Sequence, residues 1–540
     1  MSPLSSPKKH LLAGVIGSVG LISFLTLASR VVGFIRWLTQ SAWVGTGAFA
    51  NAYSSANQIP NVLFEVVAGG ALTGITIPLL AAPIAKKMRE EVNSIANALL
   101  TWAVLLLIPV AVVLYCGAPW IADALPSPAG VDHNQQIALM TSFLRVFAWQ
   151  IPMYGMCIVL VGVLQAHKKF LWPALVPLLS SLVVITTFAL FGWMTSYDTH
   201  NVPYSAHMAL AWGTTLGVVT MALPLLIPVY RLGMRIRPQF YLEKSKARQA
   251  LRLGGAGMTA LLAQQLSVVV VLVVARAYGG EGTLPIYQYA LAVYLLPYAV
   301  LAYPVATAMF PRLAETISQG AHNIFAKECA LSTKIVTLIG VVSAALLIGE
   351  AYPAQAVFAL LNPMPGMAEG LIAMAPGLVG YILIFHLQRA LYALDAGRPA
   401  MLSTTAGWLV VSIASWGFAA LFGSDKGEPI WTMIALGLGQ SLGMIVAGAG
   451  LLYAVYRQAG RHSIAGVVPS ALIWSLMMCV VSVMACFISR KVLFLMGSGL
   501  GGAITAAFAA LFVVVILTLG PLVWEYKKYQ RRRLTTKGSM

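Results

Sequence analysis

Runs of about 20 or more apolar residues follow one another along this 540-residue chain, and that recurrence constrains the fold more than any other feature. A helix needs roughly 20 such residues to cross the ~30 Å hydrocarbon core of a bilayer. Only 9% of the residues are charged, against roughly 25% in a soluble globular chain, so the chain belongs in lipid. Spans are expected at approximately 11–44, 49–82, 93–122, 138–166, 172–195, 206–230, 250–278, 284–310, 330–360, 369–393, 399–422, 430–456, 466–488 and 493–524. The expected fold class is therefore all-α, a polytopic membrane protein of about 14 transmembrane helices. The first apolar run continues from Leu11 to about Val44, far beyond signal-peptide length, so no cleavable signal is expected. The five cysteines lie mostly within apolar runs and form no CxxC pair, which suggests neither a disulfide framework nor a zinc site.

A net charge of +18 raises the question of a nucleic-acid partner. Its distribution argues against one. With a cytoplasmic N-terminus, 27 of the 34 Lys and Arg residues fall in cytoplasmic connections, among them Lys86, Lys87, Arg89, Lys168 and Lys169. Outer connections hold only Lys426, Arg490 and Lys491. This asymmetry is a positive-inside signature for an even number of spans with both termini cytoplasmic. The charge reads as topology plus affinity for anionic membrane lipids, with no nucleic acid as partner.

The chain also repeats itself. "NQIPNVLFEVVAGGALTGITIPLL" in the second span resembles "VYLLPYAVLAYPVATAMFPRL" in the eighth, and Pro297 follows Pro60 by 237 residues. "LQAHKKFLWPAL" after the fourth resembles "LYALDAGRPAML" after the tenth, and Pro399 follows Pro173 by 226. These offsets fit two lobes of six spans followed by two extra helices. Six is even, so both lobes enter the membrane in one orientation, as parallel repeats that can enclose a central cavity. The expected organisation is an N-terminal lobe over 1–230, a cytoplasmic inter-lobe loop over 231–249 and a second lobe over 250–460. The extra pair follows over 461–524, and a basic cytoplasmic tail over 525–540. Prolines at 60, 109, 152, 177, 297 and 304 fit either tolerated kinks or helices that bend during alternating access.

"LASRVVGFIRWLTQSAW" sets Arg30 and Arg36 inside the first span. An arginine at bilayer depth costs at least ~2.5–3.5 kcal/mol, so intramembrane arginines default to a functional reading. Six residues apart on a helix, the two differ by ~120° around the axis and ~9 Å along it. Both can line one broad cavity. Arginine suits a diphosphate, because its planar fork binds phosphate oxygens in pairs and keeps its charge. The bland alternative has Arg36 snorkelling outward and Arg30 paired structurally with a carbonyl or with Glu65.

Glu65 is a carboxylate deep in a span. Gln58, Asn61 and Glu65 share a face at i, i+3 and i+7, with Asn51 nearby on the same span. Such a stripe lines a cavity or joins neighbouring helices. Gln264 and Gln265 hold the comparable place in the second lobe and fit sugar or peptide contacts as well as core packing. His167 with Lys168 and Lys169 reads as topogenic, and His386 as structural. "GSGLGG" matches a dinucleotide fingerprint, but no strand precedes it. No P-loop, HExxH or GxSxG motif is present, so neither ATP-driven transport within the chain nor a cofactor is expected.

With these residues in view, the chain resembles the MurJ/MviN family of lipid II flippases, within the multidrug/oligosaccharidyl-lipid/polysaccharide exporter superfamily. The likeness runs over about 500 residues and is clearest at "SRVVGFIR", "PNVLFEVVAGGALTGITIP" and "GVLQAHKKFLWPALVPLLSS". It implies fourteen spans in the bacterial cytoplasmic membrane, a two-lobed core, and a final pair of helices forming a groove for the polyprenyl tail. It also implies movement of lipid-linked disaccharide-pentapeptide from the inner to the outer leaflet for peptidoglycan synthesis. Arg30 and Arg36 match the family's two first-helix arginines, so an anion-binding role carries to them. Elsewhere the match lapses. Trp37 stands where the family has an acid, Asn51 where it has Asp, Phe64-Glu65 where it has a basic pair, and Ala292 near its span-eight arginine.

The leading expectation is a lipid II flippase working by alternating access, without enzymatic chemistry. The runner-up is a related exporter of another lipid-linked oligosaccharide or of a drug, although an exporter of cations would want cavity carboxylates in place of arginines. A membrane-embedded glycosyltransferase or phosphatase needs an acid/base constellation on a sizeable outer loop, and the outer loops here are short and acid-poor.

Overall fold

The computed structural model describes residues 7–66, 73–196, 198, 201–241, 243, 258–422 and 427–537. Among the described residues the chain is all-helical apart from one isolated bridge, Ala129 to Gly280, as the apolar runs require. Among the described residues twelve helical stretches, from Arg89–Ala124 to Leu500–Leu519, are long and apolar enough to cross a membrane. They correspond to the third through fourteenth expected spans. The first expected span falls on α1 (Pro7–Trp43). The second falls on α2 (Ala48–Glu65) and α3 (Thr73–Ala85), with 67–72 outside the described residues.

The chain forms two compact units, residues 1–127 with 131–265 and residues 128–130 with 266–540. In the first, α4 (Arg89–Ala124) packs on α5 (His133–Phe147) and α6 (Gln150–Ala166), while α7 (Leu171–Met194) packs on α1 and α8 (Tyr204–Ala222). One core of this unit is aromatic. Phe49 and Tyr53 of α2 meet Phe143 and Phe147 of α5 and Phe188 and Phe191 of α7, with Phe49–Phe191 stacked at 5.3 Å and Tyr53–Phe143 edge-on at 5.5 Å. Edge-on and offset pairs of this kind contribute ~0.5–1.5 kcal/mol each beyond burial. The Tyr53 hydroxyl pairs with Thr214 Oγ1 at 3.0 Å, and this bond fixes which face α2 turns inward.

After the short helix α9 (Leu226–Arg231) the chain becomes an extended strap over 234–241, and α4 holds it. Asn97 Nδ2 donates to the Arg235 carbonyl at 2.9 Å, and Arg237 N donates to Asn97 Oδ1. Gln239 N donates to Thr101 Oγ1 and Gln239 Nε2 to Ser94 Oγ; Trp102 Nε1 donates to the Phe240 carbonyl. Ser94, Asn97, Thr101 and Trp102 recur at the spacing of one helix face, which lets a straight helix hold an extended segment along its side.

Helix α10 (Met258–Ala277), whose residues up to Gln265 count with the first unit, leads in the second unit to α11 (Thr283–Pro297), a π-turn at Tyr298–Ala302 and α12 (Tyr303–Ser318). Beyond α13 (His322–Gly349) and α14 (Ala351–Phe358), the helices α15 (Met367–Ala393), α16 (Gly397–Phe422) and α17 (Pro429–Ala459) pack through small residues. A Cβ on Gly380 would strike the Met444 backbone carbonyl, and one on Gly443 would meet Val411 and the Gly407 carbonyl. Small-residue contacts of this kind drive helix association in lipid, where burial supplies little. The final pair, α18 (Val467–Met496) and α19 (Leu500–Lys537), packs on α13 through Trp474, Met478, Val481, Ala510 and Val514.

The turns after α3, α6, α12 and α15 share one hydrogen-bond pattern. In each, the residue in the left-handed region (Lys87, Lys168, Gly320 or Asp395) donates its N–H three residues back, and the next residue donates five back, as Lys169 N does to Leu164 O at 2.8 Å. This is the double-bonded cap that satisfies the last helical carbonyls. The four turns follow the second, fourth, eighth and tenth expected spans.

Candidate functional site

The first-unit residues singled out in the sequence converge in part on one tyrosine. Helix α1 runs unbroken through Gly33, so the ~120° and ~9 Å separation of Arg30 from Arg36 holds. Phe24, Leu27, Val31 and Ile35 form the exposed apolar stripe of α1, and at ~100° per residue neither arginine lies on that stripe. Arg30 is exposed, whereas Arg36 is half-buried with its Cζ 5.5 Å from the Trp37 ring centroid. Arg36 also lies within electrostatic reach of the Tyr53 and Tyr154 hydroxyls.

Tyr154 belongs to the first turn and a half of α6. Its hydroxyl donates to Asn61 Oδ1 at 3.0 Å, its ring stacks on Phe64 at 4.2 Å, and it interacts electrostatically with Glu65. Asn61, Phe64 and Glu65 all come from the last turns of α2, and Glu65 ends that helix exposed. Gln58, half-buried, lies one turn earlier on the same face. Asn51 does not join this group. It is fully buried two turns further back, where its Oδ1 accepts from Ser55 Oγ at 3.3 Å.

Arg36, Asn61 and Glu65 are thus gathered around Tyr154 within one unit, with Arg30 farther along α1. Sequence reasoning missed Tyr53 and Tyr154. The available signal was a tyrosine well inside an apolar span, a phenol that needs a partner when buried. A guanidinium within electrostatic reach of two phenols can hold an oxyanion through charge-assisted bonds, and among the described residues no nucleophile–base pair accompanies it. Elsewhere His386 is buried with Nε2 3.2 Å from Ser332 Oγ and 3.3 Å from Thr333 Oγ1. Both hydroxyls already donate to the Cys329 carbonyl, so the ring nitrogen supplies the proton, as in a core histidine. Gln265 is buried and Gln264 half-buried on α10. Among the described residues no cluster of His, Cys, Asp and Glu could hold a metal ion.

Comparison with known proteins gives the site its context. Residues 41–503 match the family model described as Lipid II flippase MurJ. A protein of Rhizobium meliloti, named Probable lipid II flippase MurJ, is 27% identical over 339 residues, covering 61% of this chain. That stretch spans 60% of the relative, under two thirds of its length. A solved structure of lipid II flippase MurJ in an inward closed conformation superposes with a TM-score of 0.70 at 19% identity, covering 92% of this chain and 98% of the other. An inward-facing MATE family multidrug transporter of the MOP superfamily superposes at 0.63 and 15% identity, covering 79% and 94%. At these identities the two structures speak for the fold alone.

Proposed function

Because the chain belongs to the MurJ family of lipid II flippases, we propose that it carries lipid II across the bacterial cytoplasmic membrane, from the inner to the outer leaflet, by alternating access. The observation that carries this reading is the family match over 41–503 together with Arg36 within electrostatic reach of Tyr53 and Tyr154. The diphosphate of the cargo engages Arg36 and Arg30, while Gln58, Asn61 and Glu65 offer amide and carboxylate contacts to the sugar and peptide. Asn51 supports the helix from behind. The α18–α19 pair offers its exposed apolar face, including Leu472, Leu476 and Phe508, to the polyprenyl tail. Both termini are cytoplasmic, anionic lipids surround the basic face, and nucleic acid is not a partner.

The missing family cations favour a second reading. With Phe64-Glu65 and Ala292 at those positions, the site carries less positive charge, and a paralogue moving a different lipid-linked saccharide fits it too. One experiment separates the two. Expressed in a bacterium depleted of its own flippase, the lipid II carrier restores growth and clears lipid II from the inner leaflet. Normal peptidoglycan synthesis after sole deletion of this gene selects the paralogue.

A further inference from the structure

We propose that the first unit holds a specific site for the phosphate of an anionic phospholipid headgroup, built where the α3–α4 turn, the α6–α7 turn and the strap meet. A cavity of about 300 Å³ opens there. Its floor is apolar, with Val92 and Met234 buried and Leu232 half-buried, while Lys87, Arg89, Asn93 and His167 line it with donors. Lys87 is held in the left-handed region, and the His167 ring is oriented by Nδ1 against the Val163 carbonyl at 2.9 Å. Residues 84–93, 165–171 and 230–241 bring eight Lys and Arg residues to this end of the unit, against two acids, Glu90 and Glu91. Neither acid lines the cavity. An apolar floor under a rim of cations is the chemistry of a phosphate joined to a greasy body.

The surroundings favour a lipid over free phosphate. Trp102, Tyr230, Ile236, Phe240, Tyr241 and Phe170 are all exposed on the elements that form the cavity. Amphipathic aromatics beside a basic cluster are the signature of the headgroup layer, and juxtamembrane cations gain ~1 kcal/mol each from an anionic leaflet. Trp102 donates to the strap at Phe240, so the strap is held at the depth where headgroups lie. A bound phosphate would join three segments distant in sequence and clamp the strap to its lobe. The site sharpens the general affinity for anionic lipid proposed above and does not depend on the cargo.

The full-length protein is purified in detergent, and binding of phosphatidylglycerol is measured by native mass spectrometry against phosphatidylcholine with identical acyl chains. Lys87→Asn with Arg89→Gln removes both cations, asparagine being at ease in the left-handed region. Lys327→Gln with Arg457→Gln removes two exposed cations of the second unit as a control. Phosphatidylglycerol should bind at least tenfold more tightly than phosphatidylcholine; the first pair should erase that preference and the control should keep it. A photoactivatable phosphatidylglycerol should crosslink the wild type within 84–93 and 231–237, which decides the matter should the double variant not fold. Equal binding of the two lipids, an unaltered double variant or crosslinks confined elsewhere would overturn the site. Inorganic phosphate competing as strongly as the lipid would overturn the lipid assignment. General anionic affinity surviving in the double variant would sink this site alone.

Discussion

Replacing Arg36 with alanine should stop transport without weakening the protein. In the membrane the arginine carries an insertion penalty of at least ~2.5–3.5 kcal/mol. Its contact with Trp37, at 5.5 Å and half-buried, returns about 0.5–1 kcal/mol, the range for a cation over an aromatic ring. Alanine therefore loses less than it gains, and protein level and melting temperature should equal or exceed wild type. Transport is different. Each charge-assisted bond to a diphosphate oxygen contributes ~1.5–3 kcal/mol, so losing one weakens engagement by roughly ten- to a hundredfold. Lysine keeps the charge but not the fork, and should retain partial activity at best. The assay sets Arg30→Ala, Arg30→Lys, Arg36→Ala and Arg36→Lys side by side for expression, melting temperature and lipid II translocation in vesicles. Wild-type translocation in both alanine variants would refute the anion cradle. A fall in melting temperature parallel to the loss of transport would make Arg36 a structural residue.

Three further outcomes are expected. In a cysteine-free background, needed because Cys116 and Cys479 are exposed, cysteines at residues 240 and 535 should resist an impermeant thiol reagent in intact cells; labelling of either would invert the topology. Gly380→Val, forced against the Met444 carbonyl, should lower the melting temperature by an overpacking cost of about 1–3 kcal/mol. Gly417→Ala, with open space around it, should be neutral or slightly stabilising, and equal melting curves for the two would contradict the close approach. Asn97→Ala removes both bonds to Arg235 and Arg237, so trypsin should cut the strap there faster than in wild type; an unchanged rate would mean that the strap is held by other contacts.

Apolar length made the helices legible, because each crossing must be long and greasy whatever it packs against. Breaks inside a crossing were harder to see. The expected span 138–166 is two helices meeting at Ala148–Trp149, and Pro152 lies in the first turn of the second. At the third helical position its missing N–H would have had no partner in any case. Pro304 behaves otherwise: it cannot donate to the Val300 carbonyl and its ring crowds it, and a π-turn occupies that place. The expected span 330–360 divides at Glu350, where a charged residue separates α13 from α14. At the site, periodicity was enough to put Gln58, Asn61 and Glu65 on one face. It could not supply Tyr154, which reaches Asn61 across 93 residues of sequence, nor show that Asn51 lies under the aromatic core, since a face says nothing of what covers it.

The shared turn has a consequence for how the chain enters the membrane at birth. An L-residue in the left-handed region costs roughly 1–2 kcal/mol, and glycine is the usual way to avoid it. At Gly320 the chain takes that way, but at the corresponding turn of the first half it places Lys87, and after α6 it places Lys168. Both lysines sit beside further cations, Lys86 and Arg89 in one case and Lys169 in the other. Orientation is read from such charges while hairpins are being inserted, before any tertiary contact exists to correct a mistake. A glycine in either place would turn more easily, yet it would leave the newborn hairpin with a weaker instruction about which side to stay on.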